Sequence, residues 1–419
     1  MRQFEFRTRV ASLELYVQLA LLGARGGAET PGLVPGAALV TLVSQYIHDG
    51  HPKVRKVALD LLYALHLAGL VLGPDLYPVA VDSLKDDSEA VRFSALRLVW
   101  TLSRLHASQL VPLGKLSGTS VGSSDTIQLV NDAFVKVCDM VNDISMSVRT
   151  EACVLLGSYH NVQFSFLSQT LSKKVMSHLK RRPPLGKHHP RGSPSADSGA
   201  SPGRSKRSTI PVAEGDLDVG SDEFRLLDSG ACGAFVHGLE DEYREVRHAA
   251  INSIGELCLG SAEFAKLAVD YLVDIFNDEI DYVRLNAIQS LSKVADHHTI
   301  VLDGEQLQII FGVMEDADPK IRRAIHHLLG SVRVQNQACI ATVVETLTRS
   351  VVRHSSDQLS IYRCLGQLGS RHSDLVDTSL VERLLKLEKQ FLTREFSQDD
   401  GVYTAHMALI FNAAAAKPS

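Results

Sequence analysis

The chain has 419 residues, 45% hydrophobic and 22% charged, enough for several ordinary domains or one long repeat array. Its net charge of −5 is uneven: residues 173–207 hold ten Lys/Arg against one Asp, or +9, which leaves −14 elsewhere and makes the rest a poor general surface for nucleic acid. Six cysteines (138, 153, 232, 258, 339, 364) without a C-x-x-C argue against a zinc site, and no apolar run of 18 residues or secretory signal is present, so the chain reads as soluble, intracellular and reduced.

From the N-terminus, residues 8–22 read as the second helix of a pair, with Arg9 near its start and no acidic corner before it. A phrase then recurs six times, each copy pairing an aspartate with an arginine six residues later. The first three copies carry Asp49 and Arg55, Asp86 and Arg92, and Asp143 and Arg149. After a gap come Asp241 and Arg247, Asp278 and Arg284, and Asp316 and Arg322. Within each half the arginines lie 37 or 38 residues apart, except for one interval of 57 that holds the Gly/Ser loop 114–125. A fixed period of this size marks a repeat architecture.

Inside one copy, Val283, Ala287, Leu291 and Val294 fall at helical spacing with Ile288 beside them. The preceding stretch, 261–276, is a second amphipathic helix with Ser261 placed to cap it. Each repeat therefore reads as two helices joined by a tight acidic turn. Pro52 and Pro319 suit the first turn after such a corner, and Asp303 to Gln306 has the capping-box pattern. The corner aspartate is expected to accept free N–H groups at the start of the second helix. The arginine is expected to reach back to that carboxylate or to the neighbouring repeat's. An exposed pair of this kind is worth only about 0–1 kcal/mol, so its value lies in fixing the register of a stack.

A helix over 161–180 runs into a Pro/Gly/Ser-rich segment with one leucine as its only large apolar residue, a composition that cannot support a fold. A short acidic stretch leads back to helix near 224. Helices near 337–351, 356–369, 376–390 and 402–416 continue the stack in degenerate form. The expected fold is all-α, a HEAT/ARM-type α-solenoid of stacked helical pairs. Its parts are an N-terminal segment 1–180, a disordered basic-then-acidic linker 181–222 and a C-terminal segment 223–419. The lone second helix at one end and the uncapped "AAAAKPS" at the other read as a stack cut at both ends.

Chemistry-bearing motifs are few. Gly118 to Gly122 matches G-x-S-x-G around Ser120, but the elbow needs a strand before it and a helix after it, and no parallel-sheet pattern is present. The pairs His297/His298 and His326/His327 point about 100° apart on a helix and fit helix-end or surface positions better than a metal site. Trp100, flanked by Leu96 and Leu102, reads as core. The corner carboxylates recur with the period of the array, so they read as architecture. No cofactor is implied. The linker's basic clusters, Lys180, Arg181 and Arg182, then Arg204, Lys206 and Arg207, have the form of a nuclear import signal; a solvated tether is the plainer alternative. Ser193-Pro194 and Ser201-Pro202 suit proline-directed phosphorylation. The linker lacks stacking aromatics, so RNA binding through it would be electrostatic and salt-sensitive.

Several stretches are more particular than a generic repeat: residues 229–242, 272–285, 368–372 and 409–414, with 127–138 and 166–182. In order along nearly the whole chain they resemble the Integrator complex subunit 4 family. That resemblance implies a non-catalytic HEAT-repeat scaffold in a nuclear complex that cleaves nascent RNA, including small nuclear RNA precursors, and attenuates RNA polymerase II transcription. It implies as partners other subunits of that complex, above all the paired nuclease subunits 9 and 11, held much as symplekin holds its nucleases. It also implies further repeats N-terminally, a nuclease-docking region beyond Ser419, and an inositol hexakisphosphate site that no motif here locates. The alternatives are another HEAT adaptor, of phosphatase-scaffold or transport-receptor type, and an RNA binder acting through the linker.

Overall fold

The acidic turn sets the architecture, because it reverses the chain while leaving both flanking helices free to bury an apolar stripe. The structure, a computed structural model, describes residues 5–25, 36–112, 126–172, 232–385 and 400–417. It opens with α1 (Phe6–Arg25), then the pair α2 (Gly36–Ser44) and α3 (Pro52–Leu67). The pairs α4 (Leu76–Ser83) with α5 (Glu89–Leu105) and α6 (Leu129–Asp139) with α7 (Met146–Leu156) follow, then the short α8 (Phe164–Gln169). Next come α9 (Ala234–Leu239) with α10 (Arg244–Gly260) and α11 (Ala262–Asp274) with α12 (Asp281–His297). After α13 (Gly304–Val313) with α14 (Pro319–Ser331) and α15 (Gln337–Arg353) with α16 (Gln358–Arg371), the helices α17 (Thr378–Leu385) and α18 (Gly401–Ala416) complete the set.

The second helices α3, α5, α7, α10, α12, α14 and α16 pack side by side in one row, and α1 joins that row against α3. Each first helix packs against the second helix of its own pair. This is a HEAT/armadillo-type α-solenoid. Its core is one continuous cluster from Leu13 to Ala413, as expected when each pair can bury its apolar face only against its neighbours. Within α12, Val283, Ala287, Ile288 and Leu291 are fully buried.

The helix ends have identifiable causes. Ser261 accepts from the Phe264 N–H at 3.2 Å, and Asp303 with Gln306 forms a complete capping box. Pro52 and Pro319 occupy first-turn positions of α3 and α14.

Two features differ from the sequence reading. Short strands lie in the connections between repeats: β1 (Leu110–Pro112) pairs antiparallel with β2 (Thr126–Gln128), and β3 (Val301–Leu302) pairs parallel with β4 (Arg333–Val334). Strands of two or three residues are too short for alternation to register in a sequence. Trp100 is only partly buried; its indole N–H donates to Ser158 Oγ at 2.6 Å, and the Arg104 guanidinium lies 5.0 Å over its ring. The linker expected at 181–222, Ser120 with its flanking glycines, the stretch of the 161–180 helix beyond residue 172 and that of the 376–390 helix beyond Leu385 lie outside the described residues.

Candidate functional site: a ladder of ion pairs along the repeat corners

Each corner is built the same way. The aspartate carboxylate accepts from the backbone N–H two residues on, at His51, Ser88, Ser145, Tyr243, Ile280 and Asp318, over 2.8–2.9 Å. Those residues are themselves the N-caps, so the aspartate holds the residue that enters the helix and leaves the first-turn N–H groups alone. The arginine six residues later donates back to the carbonyl of its own corner aspartate, over 2.8–3.0 Å. Its remaining nitrogens reach forward to the carboxylate of the next corner.

The forward pairs are Arg55–Asp86, Arg92–Asp143, Arg149–Asp241, Arg247–Asp278 and Arg284–Asp316, each 2.7–2.8 Å. Two further rungs extend the series. Arg9 pairs with Asp49 at 2.9 Å, and Arg322 pairs with Asp357 at 2.7 Å. The seven pairs run from α1 to α16 without a break. The Arg149–Asp241 rung spans 92 positions of sequence and still closes at 2.7 Å, so the intervening segment does not interrupt the stack.

Burial makes these pairs unlike ordinary surface bridges. Both side chains of the Arg92–Asp143 and Arg247–Asp278 pairs are 8% exposed, and Asp357 is fully enclosed. Burial works to raise the Asp86 pKa, but hydrogen bonds from Arg55 and the Ser88 N–H outweigh it and hold the carboxyl below its ordinary range. The same balance, with Arg322 foremost, lowers that of Asp357. The hydrogen bond to Asp143 raises that of Arg92. With their pKa values held down in this way, Asp86 and Asp357 are poor proton acceptors.

Asp357 was missed by the repeat reading although Arg363 follows it at the same six-residue spacing, because Tyr362 stands where the other copies have Val or Ile; it ends a 3₁₀ turn. The opposite edge holds contacts that the sequence also hid. His106 and His298, at the ends of α5 and α12, bond the carbonyls of Leu72 and Leu259 in the preceding repeats at 2.8 and 3.1 Å. His372, at the end of α16, accepts from the Val334 N–H at 2.9 Å. The recurring signal, a histidine immediately after a second helix, is legible only once the helix ends are known. His297 bonds the Lys293 carbonyl, and His326 is 1% exposed, so that histidine is core rather than surface as expected. Among the described residues no group of three His, Cys, Asp or Glu could hold a metal ion. The import-signal residues Lys180, Arg181, Arg182, Arg204, Lys206 and Arg207 lie outside the described residues.

One cleft opens on the row of second helices. The α7 helix has 11 residues where α5 and α10 have 17, and a notch runs along α7 and α10, from Thr150 and Arg244 to His160 and Glu256. At Gly157 α10 comes so close that an added Cβ would lie 2.9 Å from Ser253 Cα. The notch has a volume of about 790 Å³, with Val154, Ser158, His248, Asn252, Glu256 and Tyr282 among its walls. The rings of His248 and Tyr282 stack at 4.6 Å. Their polar ends also meet, with the Tyr282 hydroxyl 3.1 Å from His248 Nε2.

A scan against protein-family models returns no match. The chain is 42% identical over 407 residues to Integrator complex subunit 4 of Xenopus laevis and 39% identical over 407 residues to that of Homo sapiens, taking in 96% of this chain each time. It is 39% identical over 370 residues to Integrator complex subunit 4 of Drosophila melanogaster. The chain spans 40%, 40% and 34% of the lengths of these three curated relatives. Among solved structures, a designed armadillo repeat protein matches with a TM-score of 0.35 at 14% identity, covering 70% of this chain and 99% of its own. At that score the fold rests on the helix packing described above and not on the likeness.

Proposed function

We propose that this chain, a relative of Integrator complex subunit 4 along 96% of its length, is a non-catalytic scaffold within the Integrator complex. The observation that carries the reading is the 42% identity to the Xenopus laevis subunit, sustained over 407 residues. The ladder supports it, since a row of saturated ion pairs holds many repeats in one register and presents long surfaces for other proteins. In this reading the chain is nuclear and supports RNA cleavage by the nuclease pair, subunits 9 and 11, in small nuclear RNA 3′-end formation and in attenuation of RNA polymerase II. It performs no chemistry itself. The two basic clusters, Lys180 to Arg182 and Arg204 to Arg207, serve nuclear import.

The test is affinity purification of the tagged chain from nuclear extract, with recovered proteins identified by mass spectrometry. Integrator subunits should be the main partners, and recovery of phosphatase or transport-receptor components in their place would sink the proposal. Import is tested separately, by replacing Lys180, Arg181, Arg182, Arg204, Lys206 and Arg207 with Ala and expressing the tagged variant without its partners. It should move toward the cytoplasm; unaltered nuclear uptake would leave the linker as a tether.

A further inference from the structure

The last rung differs from the other six. Asp357 faces two guanidiniums: Arg322 bonds Oδ2 through Nε at 2.7 Å, and Arg323 bonds Oδ1 through Nε at 3.1 Å. Ser356 Oγ also leans on Oδ1, at 3.4 Å. Against this rung, inside the seam between α14 and α16, lies the buried imidazole of His326. Its Nδ1 is 2.8 Å from Ser360 Oγ, and Ser360 donates its own proton to the Asp357 carbonyl, also at 2.8 Å. Ser360 can therefore only accept from His326, which fixes the imidazole as the Nδ1–H tautomer. The bare Nε2 is buried without a hydrogen-bond partner, and so is Nε2 of His354 nearby.

We propose that the α14–α16 seam is a proton-sensitive joint, closed while His326 is neutral and opened when its Nε2 takes up a proton. The charged or titratable groups facing His326 are Arg322 and Arg323 from its own helix, His354 from the connection after α15, and Asp357 at the entrance to α16. A proton on Nε2 would add a third positive charge beside two guanidiniums, around one carboxylate whose oxygens are already engaged. The new N–H would find no acceptor. Burial is the main reason that the His326 pKa falls to about 4, far below the value of about 6.5 for a solvated histidine. The sign follows directly: between those two values the open seam binds more protons than the closed one, so acidification favours opening. The α5–α7 seam has a rung of buried Arg92 and Asp143 with no histidine against it, and serves as the internal reference.

Hydrogen exchange of the intact chain at pH 7 and pH 5, corrected for the intrinsic pH dependence of exchange, reads the joint directly. Protection of the facing α14 and α16 amides should fall on the order of tenfold or more at pH 5 while that of α5 and α7 holds. His326→Asn keeps a donor toward Ser360 but cannot titrate, and it should abolish the response. Unchanged protection at α14 and α16, an equal fall at α5 and α7, or a response that survives in His326→Asn would overturn the proposal. Should that variant not fold, imidazole nitrogen NMR of the native chain decides. His326 should stay neutral until the seam amides lose protection, and protonation near pH 6.5 with the seam closed would refute the joint.

Discussion

Replacing Arg92 with alanine would strand the Asp143 carboxylate at 8% exposure beside an empty space. Removing one partner of a buried pair typically costs about 3–5 kcal/mol, far more than the pair itself contributes, because the remaining charge keeps its desolvation penalty. The expected result is a large fall in the urea midpoint for Arg92→Ala. A smaller loss is expected for the double variant Arg92→Met with Asp143→Leu, which removes both charges. Equal losses would mean that the ion pair contributes net stability. Acid gives a second readout. The Asp86 and Asp357 carboxyls have folded-state pKa values below their unfolded values, so their contribution is complete above about pH 4 and is lost as pH falls through the folded values. The unfolding midpoint should drop between pH 4 and 3, and Asp86→Asn should flatten that drop.

What was legible at this scale was the spacing of aspartate and arginine, and with it a short choice of partners. The choice itself was not, since an arginine can reach its own carboxylate or the neighbour's from the same position. Packing decides: the own-corner carbonyl takes one nitrogen, and the remaining nitrogens are carried over the edge to the next repeat. Asp357 stayed hidden because Tyr362 replaces the Val or Ile that precedes the arginine elsewhere, and the three histidines because their recurrence shows only once the helix ends are placed.

At the scale of elements, α16 meets the backbone of α18 at Gly369. An added Cβ at Gly369 would lie 2.2 Å from the Leu409 carbonyl oxygen, a backbone atom that can give way only if a helix moves. Gly369→Ala is therefore expected to destabilise by about 1–3 kcal/mol through overpacking. The loss should appear first as faster hydrogen exchange in α18, while α3 and α5 keep their protection. At the helix ends, Asp303→Ala removes the side chain that accepts from both Glu305 and Gln306 and should cost about 0.5–2 kcal/mol in thermal unfolding. The helical pairs themselves were legible from the 3.6-residue stripe and the turn residues, because solenoid helices each carry a complete amphipathic signal. The early stop of α7 was not. The helix ends at Leu156, with Gly157 as its C-cap, and the close approach of α10 at Gly157 depends on a residue of another repeat, Ser253, that the local sequence of α7 does not reveal.

At the scale of the molecule, stability in such an array is a sum of repeat and nearest-neighbour terms, so an insertion between repeats matters only through the seam where it enters. That seam is intact here. Phe235 and Gly233 donate backbone N–H groups to the carbonyls of Thr170 and Gln169, at 3.1 and 3.0 Å, and Tyr271 reaches the Leu171 carbonyl. If residues 183–211 only connect the halves, deleting them changes a closure cost that grows only with the logarithm of length. The variant should keep its helical circular-dichroism signal and its melting midpoint within a few degrees. A collapse of either would show that the segment contributes contacts of its own.

The 92-residue reach of the Arg149–Asp241 rung has one more implication. Covalent continuity between Ser172 and Cys232 is not what holds the two halves side by side. Ser253 Oγ bonds the Cys153 carbonyl at 2.5 Å and Gly238 lies against Cys153, so the surface between the halves is a core that happens to be cut in sequence. Such a surface should heal. Two separately expressed polypeptides ending and starting within residues 173–231 should recognise each other and rebuild the stack, as complementing fragments do, and Asp241→Arg on one of them should abolish the pairing.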